Sequence, residues 1–163
     1  MRKVDGMDNI IIEKLTQLMQ NKIQKLKSFY EITEKISIAV VSNNLEDLKN
    51  LLIAKQKIIE EINEIDKDFI PMYNNFKKTN KVESIFALED KITGEVSKLK
   101  ALFLEAKNLL QKIKEVDDKS RREVMDIFQK TGDKLEELSK NKEGYLQYLK
   151  YYTPDNYFLD KKR

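Results

Sequence analysis

The sequence predicts an all-α protein: an elongated antiparallel helical bundle, or coiled coil, of three long helices with an irregular aromatic C-terminal tail. Three observations predict it. Of 163 residues 36% are charged and 40% hydrophobic, with four Gly, two Pro and no Trp, the composition of bundles and long helices. Apolar residues recur at steps of three, four and seven through most of the chain, which is the helical period. Five of the seven tyrosines then fall in the last 19 residues, where Pro154 interrupts the chain and the apolar period has ended at Leu149. A chain of this length is one domain of ordinary size, residues 1–163.

The first helix is expected at about 8–42, opened by Asp8 as N-cap. Its stripe is Ile12, Leu15, Met19, Leu26, Phe29, Ile36 and Val40, widened by Ile11, Leu18, Ile23 and Ile32. That face is broad enough for a bundle. Asn43-Asn44 breaks the pattern, and Asn44 suits the N-cap of a second helix whose first turn holds Glu46 and Asp47, where the helix dipole favours acids. This helix is expected at 45–70 with Leu48, Leu51, Leu52, Ile58, Ile59, Ile62, Ile65 and Phe69 buried. Pro71 stops or kinks it, although Phe69, Met72 and Phe76 keep the spacing across the proline. So short a break makes the two helices antiparallel neighbours.

A third helix is expected at 82–116 on the seam Ile85, Leu88, Ile92, Leu99, Leu102, Ala106, Leu109, Ile113 and Val116, with only Glu95 out of place. A sparser stripe continues through Val124, Ile127, Phe128, Leu135, Leu138, Tyr145 and Leu149. The third helix is either continuous to Lys150, roughly 100 Å at about 1.5 Å per residue, or turns back near residue 117 or 131 as a fourth helix at 119–150. Residues 151–163 form the tail.

Absences narrow the chemistry. The chain has no His and no Cys, which excludes Glu-x-x-His metal sites, imidazole bases, disulfides and thiol nucleophiles. Only four of 31 basic residues are Arg, the better side chain for bidentate anion recognition. A net charge of +3 gives no long-range pull towards nucleic acid or an anionic membrane. No apolar run approaches a membrane span, and the first residues lack a signal-peptide core. The expectation is a cytoplasmic, non-catalytic protein with no cofactor and no metal, without nucleic-acid binding or membrane insertion.

Two segments stand out as candidate binding surfaces. Val124, Ile127, Phe128, Leu135 and Leu138 form either core beneath a fold-back helix or a groove for a partner's amphipathic helix. The aromatic tail, with Tyr145, Tyr148, Tyr151, Tyr152, Tyr157 and Phe158, either packs over the helix ends or docks a second protein, since tyrosine is enriched at interfaces. Paired carboxylates such as Asp117-Asp118 and Glu136-Glu137 read as solvated helix faces. Lys119-Ser120-Arg121-Arg122 is too short for a nucleic-acid footprint. No convergent buried polar cluster is legible, which argues against an enzyme. A purely structural coiled coil, including a homodimer, is the competing class.

The stretch Ala39-Val40-Val41-Ser42-Asn43-Asn44-Leu45-Glu46-Asp47-Leu48-Lys49-Asn50-Leu51-Leu52, continued by Lys55-Gln56-Lys57-Ile58-Ile59-Glu60-Glu61-Ile62, resembles the helix-turn-helix of FlgN-type flagellar export chaperones. The ending Asn156-Tyr157-Phe158-Leu159-Asp160-Lys161-Lys162 is similar to that family's C-terminus. FliT-type chaperones of the filament cap protein share the turn and leucine helix and are the alternative. The FlgN resemblance implies a chaperone without enzymatic activity that binds the C-terminal helix of hook–filament junction proteins. It also implies that a tail tyrosine engages the export gate, a role five tyrosines here share as candidates.

Overall fold

The computed structural model of the chain describes residues 6–88 and 94–131, and side-chain surroundings for 9–88 and 94–126. All regular structure among them is helical: α1 Gly6–Val41, α2 Leu45–Asn80, a short 3-10 turn Ile85–Ala87, and α3 Gly94–Thr131. Lys22 meets Asp66 and Lys25 meets Glu61, so α1 and α2 run antiparallel. Lys27 meets Glu105 and Ser37 meets Glu123, so α3 runs parallel to α1. The order is up, down, up. α1 packs against both other helices, while α2 and α3 meet through long side chains such as Phe69, Tyr73 and Phe103.

The corner between α1 and α2 forms as its residues dictate. Asn43 takes a left-handed conformation at φ 55°, which a short amide side chain tolerates better than a branched one. Asn44 caps α2, its side-chain oxygen accepting from the Asp47 amide at 3.1 Å. α2 does not stop at Pro71 but runs on to Asn80. Pro71 is exposed, as is Lys67 one turn before it, so the carbonyl that loses its donor lies on the solvent side of the helix. Lys81 ends α2 in a left-handed cap at φ 56°.

The expected third helix is corrected at both ends. Residues 81–88 are loop and 3-10 turn, tied to α2 by the Ile85 amide donating to the Tyr73 hydroxyl at 3.0 Å. α3 is described from Gly94 and passes unbroken through 117–120, so no turn occurs there. The seam moves as well. Val96, Phe103 and Leu110 are buried, whereas Leu102, Leu109 and Val116 are half-buried. The expected register starts from Ile85 and Leu88, which belong to no part of this helix. The expected second break, near 131, and the rest of the 119–150 helix lie outside the described residues.

In the observed register, each helix carries one stripe of strictly alternating three- and four-residue steps. On α1 it is Ile12, Leu15, Met19, Lys22, Leu26, Phe29, Thr33, Ile36 and Val40, all buried. On α2 it is Lys55, Ile59, Ile62, Asp66, Phe69, Tyr73 and Phe76, all buried. On α3 it is Val96, Leu99, Phe103, Ala106, Leu110, Ile113, Asp117, Ser120 and Val124, all buried. This is the heptad pattern of coiled-coil packing, with two polar residues on every stripe. Leu48, Leu51, Leu52 and Ile65, all expected in the core, are half-buried, and Asp66 beside Ile65 takes the buried position.

Candidate binding surface

The six polar stripe positions are mostly spent on one another. Lys22 Nζ lies 2.8 Å from Asp66, and Lys55 Nζ lies 2.9 Å from Asp117. Both side chains of the second pair are sealed from solvent, at 0% and 6% exposure. Lys55 also lies over the Phe29 ring, 4.8 Å from its centroid, a cation–π contact. The Thr33 hydroxyl donates to the Phe29 carbonyl at 2.7 Å. Burial pushes both lysines below their usual pKa and both aspartates above theirs, while the partner's charge and hydrogen bond pull each part of the way back. Asp117 Oδ2 and Ser120 Oγ are buried without a hydrogen-bond partner.

These pairs correct the expectation that no polar cluster lies between the helices. Their signal is in the sequence. The seven-residue steps from Met19 to Leu26 and from Phe29 to Ile36 leave one stripe position open in each, and Lys22 and Thr33 fill them. The pairs are closed ion pairs: the cleft nearest the corner is lined by none of their residues. No group of three or more acidic, His or Cys side chains among the described residues is placed to hold a metal ion.

Accessible apolar chemistry concentrates at the α1–α2 corner. Ile36, Val40 and Val124 form a small core there, with Ile32, Leu48, Leu51 and Leu52 packed on it partly buried. Ile38 and Val41 stand 66% and 63% exposed, and Leu45, Ile53 and Met125 are exposed too. A cleft of about 410 Å³ opens among Lys35, Ile38, Ala39, Ser42, Asn44, Asp47, Asn50 and Leu51. Apolar surface ringed by amides and a few charges suits the apolar face of another polypeptide.

Of the expected client stripe, Val124 is 4% exposed and packs with Ile36 and Val40. It is core in this conformation, which corrects its placement beyond the reach of the first two helices. The loop and 3-10 turn at 81–88 delay the start of α3, and that brings Val124 level with the end of α1. Ile127 and Phe128 lie on α3, but their side chains are outside the described set; Leu135 and Leu138 lie wholly outside it, as do Tyr145, Tyr148, Tyr151, Tyr152, Tyr157 and Phe158. Sequence reasoning misses the exposed corner residues Ile38 and Val41 because they lie off the main stripe.

A helical bundle whose buried lysines and aspartates are paired, and whose corner exposes apolar side chains, has the features of a protein that holds another polypeptide. No described helix is long and apolar enough to cross a membrane. The profile of the FlgN protein family matches residues 7–155. The chain belongs to the FlgN family, and is by that membership a flagellar export chaperone. No curated protein and no solved structure matches it.

Proposed function

We propose that the chain is a cytoplasmic, non-enzymatic chaperone of hook–filament junction proteins. It binds their C-terminal helical segment, prevents premature assembly and delivers them to the export gate. The observation that carries this reading is the apolar corner, which α3 enters at Val124 and whose stripe the sequence continues with Ile127, Phe128, Leu135 and Leu138. Each large apolar side chain fully buried by a partner contributes about 1.5–3 kcal/mol. A handful supports micromolar or tighter binding after the costs of association. The aromatic tail, with Lys161, Lys162 and Arg163 beside it, docks the gate.

Co-purification of the full chain with junction proteins and with the filament cap protein, expressed pairwise, tests the reading. A stable complex with a junction protein is expected. Retention of the cap protein alone assigns the chain to the alternative client. Retention of neither, with a stable homodimer instead, sinks the chaperone reading in favour of a structural coiled coil.

A further inference from the structure

One layer of the bundle is polar on all three helices. Thr33 comes from α1, Lys55 from α2, and Asp117 with Ser120 from α3. On one side lies the main core of nineteen buried residues, from Ile12 to Phe29, Ile58 to Ile85 and Val96 to Ile113. On the other lies the corner, where three buried residues share the load with half-buried leucines. Ile32 packs on both sides. A layer of buried ions contributes less to cohesion than an apolar one of similar volume. This layer also holds two buried acceptors with no partner, Asp117 Oδ2 and Ser120 Oγ. Few buried apolar contacts beyond a weak layer define a segment that opens before the rest of the molecule.

We propose that this layer divides the bundle into two units of unequal stability, and that the corner unit opens on its own to expose Ile36, Val40, Leu48, Leu52 and Val124. The opening regulates the client site: Val124, core in the closed state, becomes available to an amphipathic helix only when the corner opens. The main body meanwhile stays folded and holds the chaperone together. The polar layer thus sets how readily a client enters. That last role rests on the proposed function, whereas the opening itself does not.

Hydrogen exchange measured by mass spectrometry on the full chain tests the device without any client. Amides of 36–52 and 118–126 should exchange at least tenfold faster than those of 58–76 and 96–113. Fraying from the helix ends gives a similar gradient, so the variants decide. The double change Lys55→Met with Asp117→Leu should slow exchange in the corner towards that of the body, and Ser120→Ala should do so by a smaller factor. Both should weaken binding of a synthetic C-terminal peptide of a junction protein. If neither variant slows the corner, or both segments exchange alike in the natural sequence, the device is overturned. If the double variant fails to fold, Ser120→Ala alone decides by the same measurement. Exchange that behaves as expected while no junction peptide binds upholds the device and overturns the proposed client.

Discussion

Lys55 and Asp117 show how a charge sits on a coiled-coil stripe. Neither is held by favourable solvation; each holds the other, and the Phe29 ring shares the ammonium. Lys55→Met alone should destabilise the fold by roughly 3–5 kcal/mol, because it leaves the carboxylate buried and unpaired. Adding Asp117→Leu should recover that loss and leave the protein as stable as before, or up to about 4 kcal/mol more so. Urea unfolding of the two singles and the double closes the cycle; a double effect equal to the sum of the two single effects would mean the pair is not coupled. The pH dependence comes from the same burial. Asp66 and Asp117 have folded pKa values above the ordinary 3.8. The folded state therefore binds protons more tightly than the unfolded one. Their contribution to stability is full below 3.8 and is lost as pH rises through their raised values. Carboxyl NMR should find both titrating above the exposed carboxylates, with Glu61, held down by Lys25, on the opposite side. Such residues are hard to read in sequence because a polar residue on a helix is by default a solvated one; only its place in the three-four alternation marks it as core.

At the scale of the element, α1 and α3 differ in how much the sequence discloses. α1 ends at a clear signal, Asn43-Asn44, and its seven predicted stripe residues, Ile12 to Val40, are all buried. Its start is corrected, because the helix already includes Gly6 and Asp8 lies within it rather than capping it. α3 has no clear start signal. Extrapolating from Ile85 rotates the stripe onto Leu102, Leu109 and Val116 and passes over Phe103, whose ring meets Phe69, Tyr73 and Phe86. The sequence ends α2 early at Pro71 because the cost of a proline depends on which face it occupies, and only the packing shows that this face is exposed. Pro71→Ala restores an amide donor in an established helix. It should raise stability by up to about 3 kcal/mol, seen as a higher melting temperature. An unchanged or lower value would mean that the proline's fixed φ compensates in the unfolded chain. Asn44→Ala should cost about 1 kcal/mol through loss of the α2 cap.

The whole molecule is set by the near-equal lengths of α1 and α3, 36 and 38 residues. They run side by side in the same direction, so α3 reaches the corner at Val124 rather than overhanging from residue 117. The overhang expected from the sequence therefore shrinks to the residues beyond Val124. Val124→Asp should unfold the corner, costing roughly 3–5 kcal/mol as an unpaired buried charge. Leu135→Asp should leave the melt unchanged and abolish client binding; a large loss of stability instead would make Leu135 core. Truncation after Lys150 should spare client binding and remove docking to the gate protein, as should alanine at Tyr151, Tyr152 and Tyr157. A tenfold loss of client affinity on truncation, about 1.4 kcal/mol, would join tail and corner into one site.

Because α1 and α3 are parallel, the chain passes Thr131 at the corner end of the bundle, beside the proposed client site. Phe158 lies 27 residues further on (158 less 131), so even fully extended it cannot stray beyond roughly 100 Å. A gate protein gripped by the tail and a client gripped at the corner would share that small volume. Their mutual concentration would be on the order of 0.4 mM or higher, whatever their dilution in the cell. Handover would then be a first-order event, with a rate independent of how scarce either partner is.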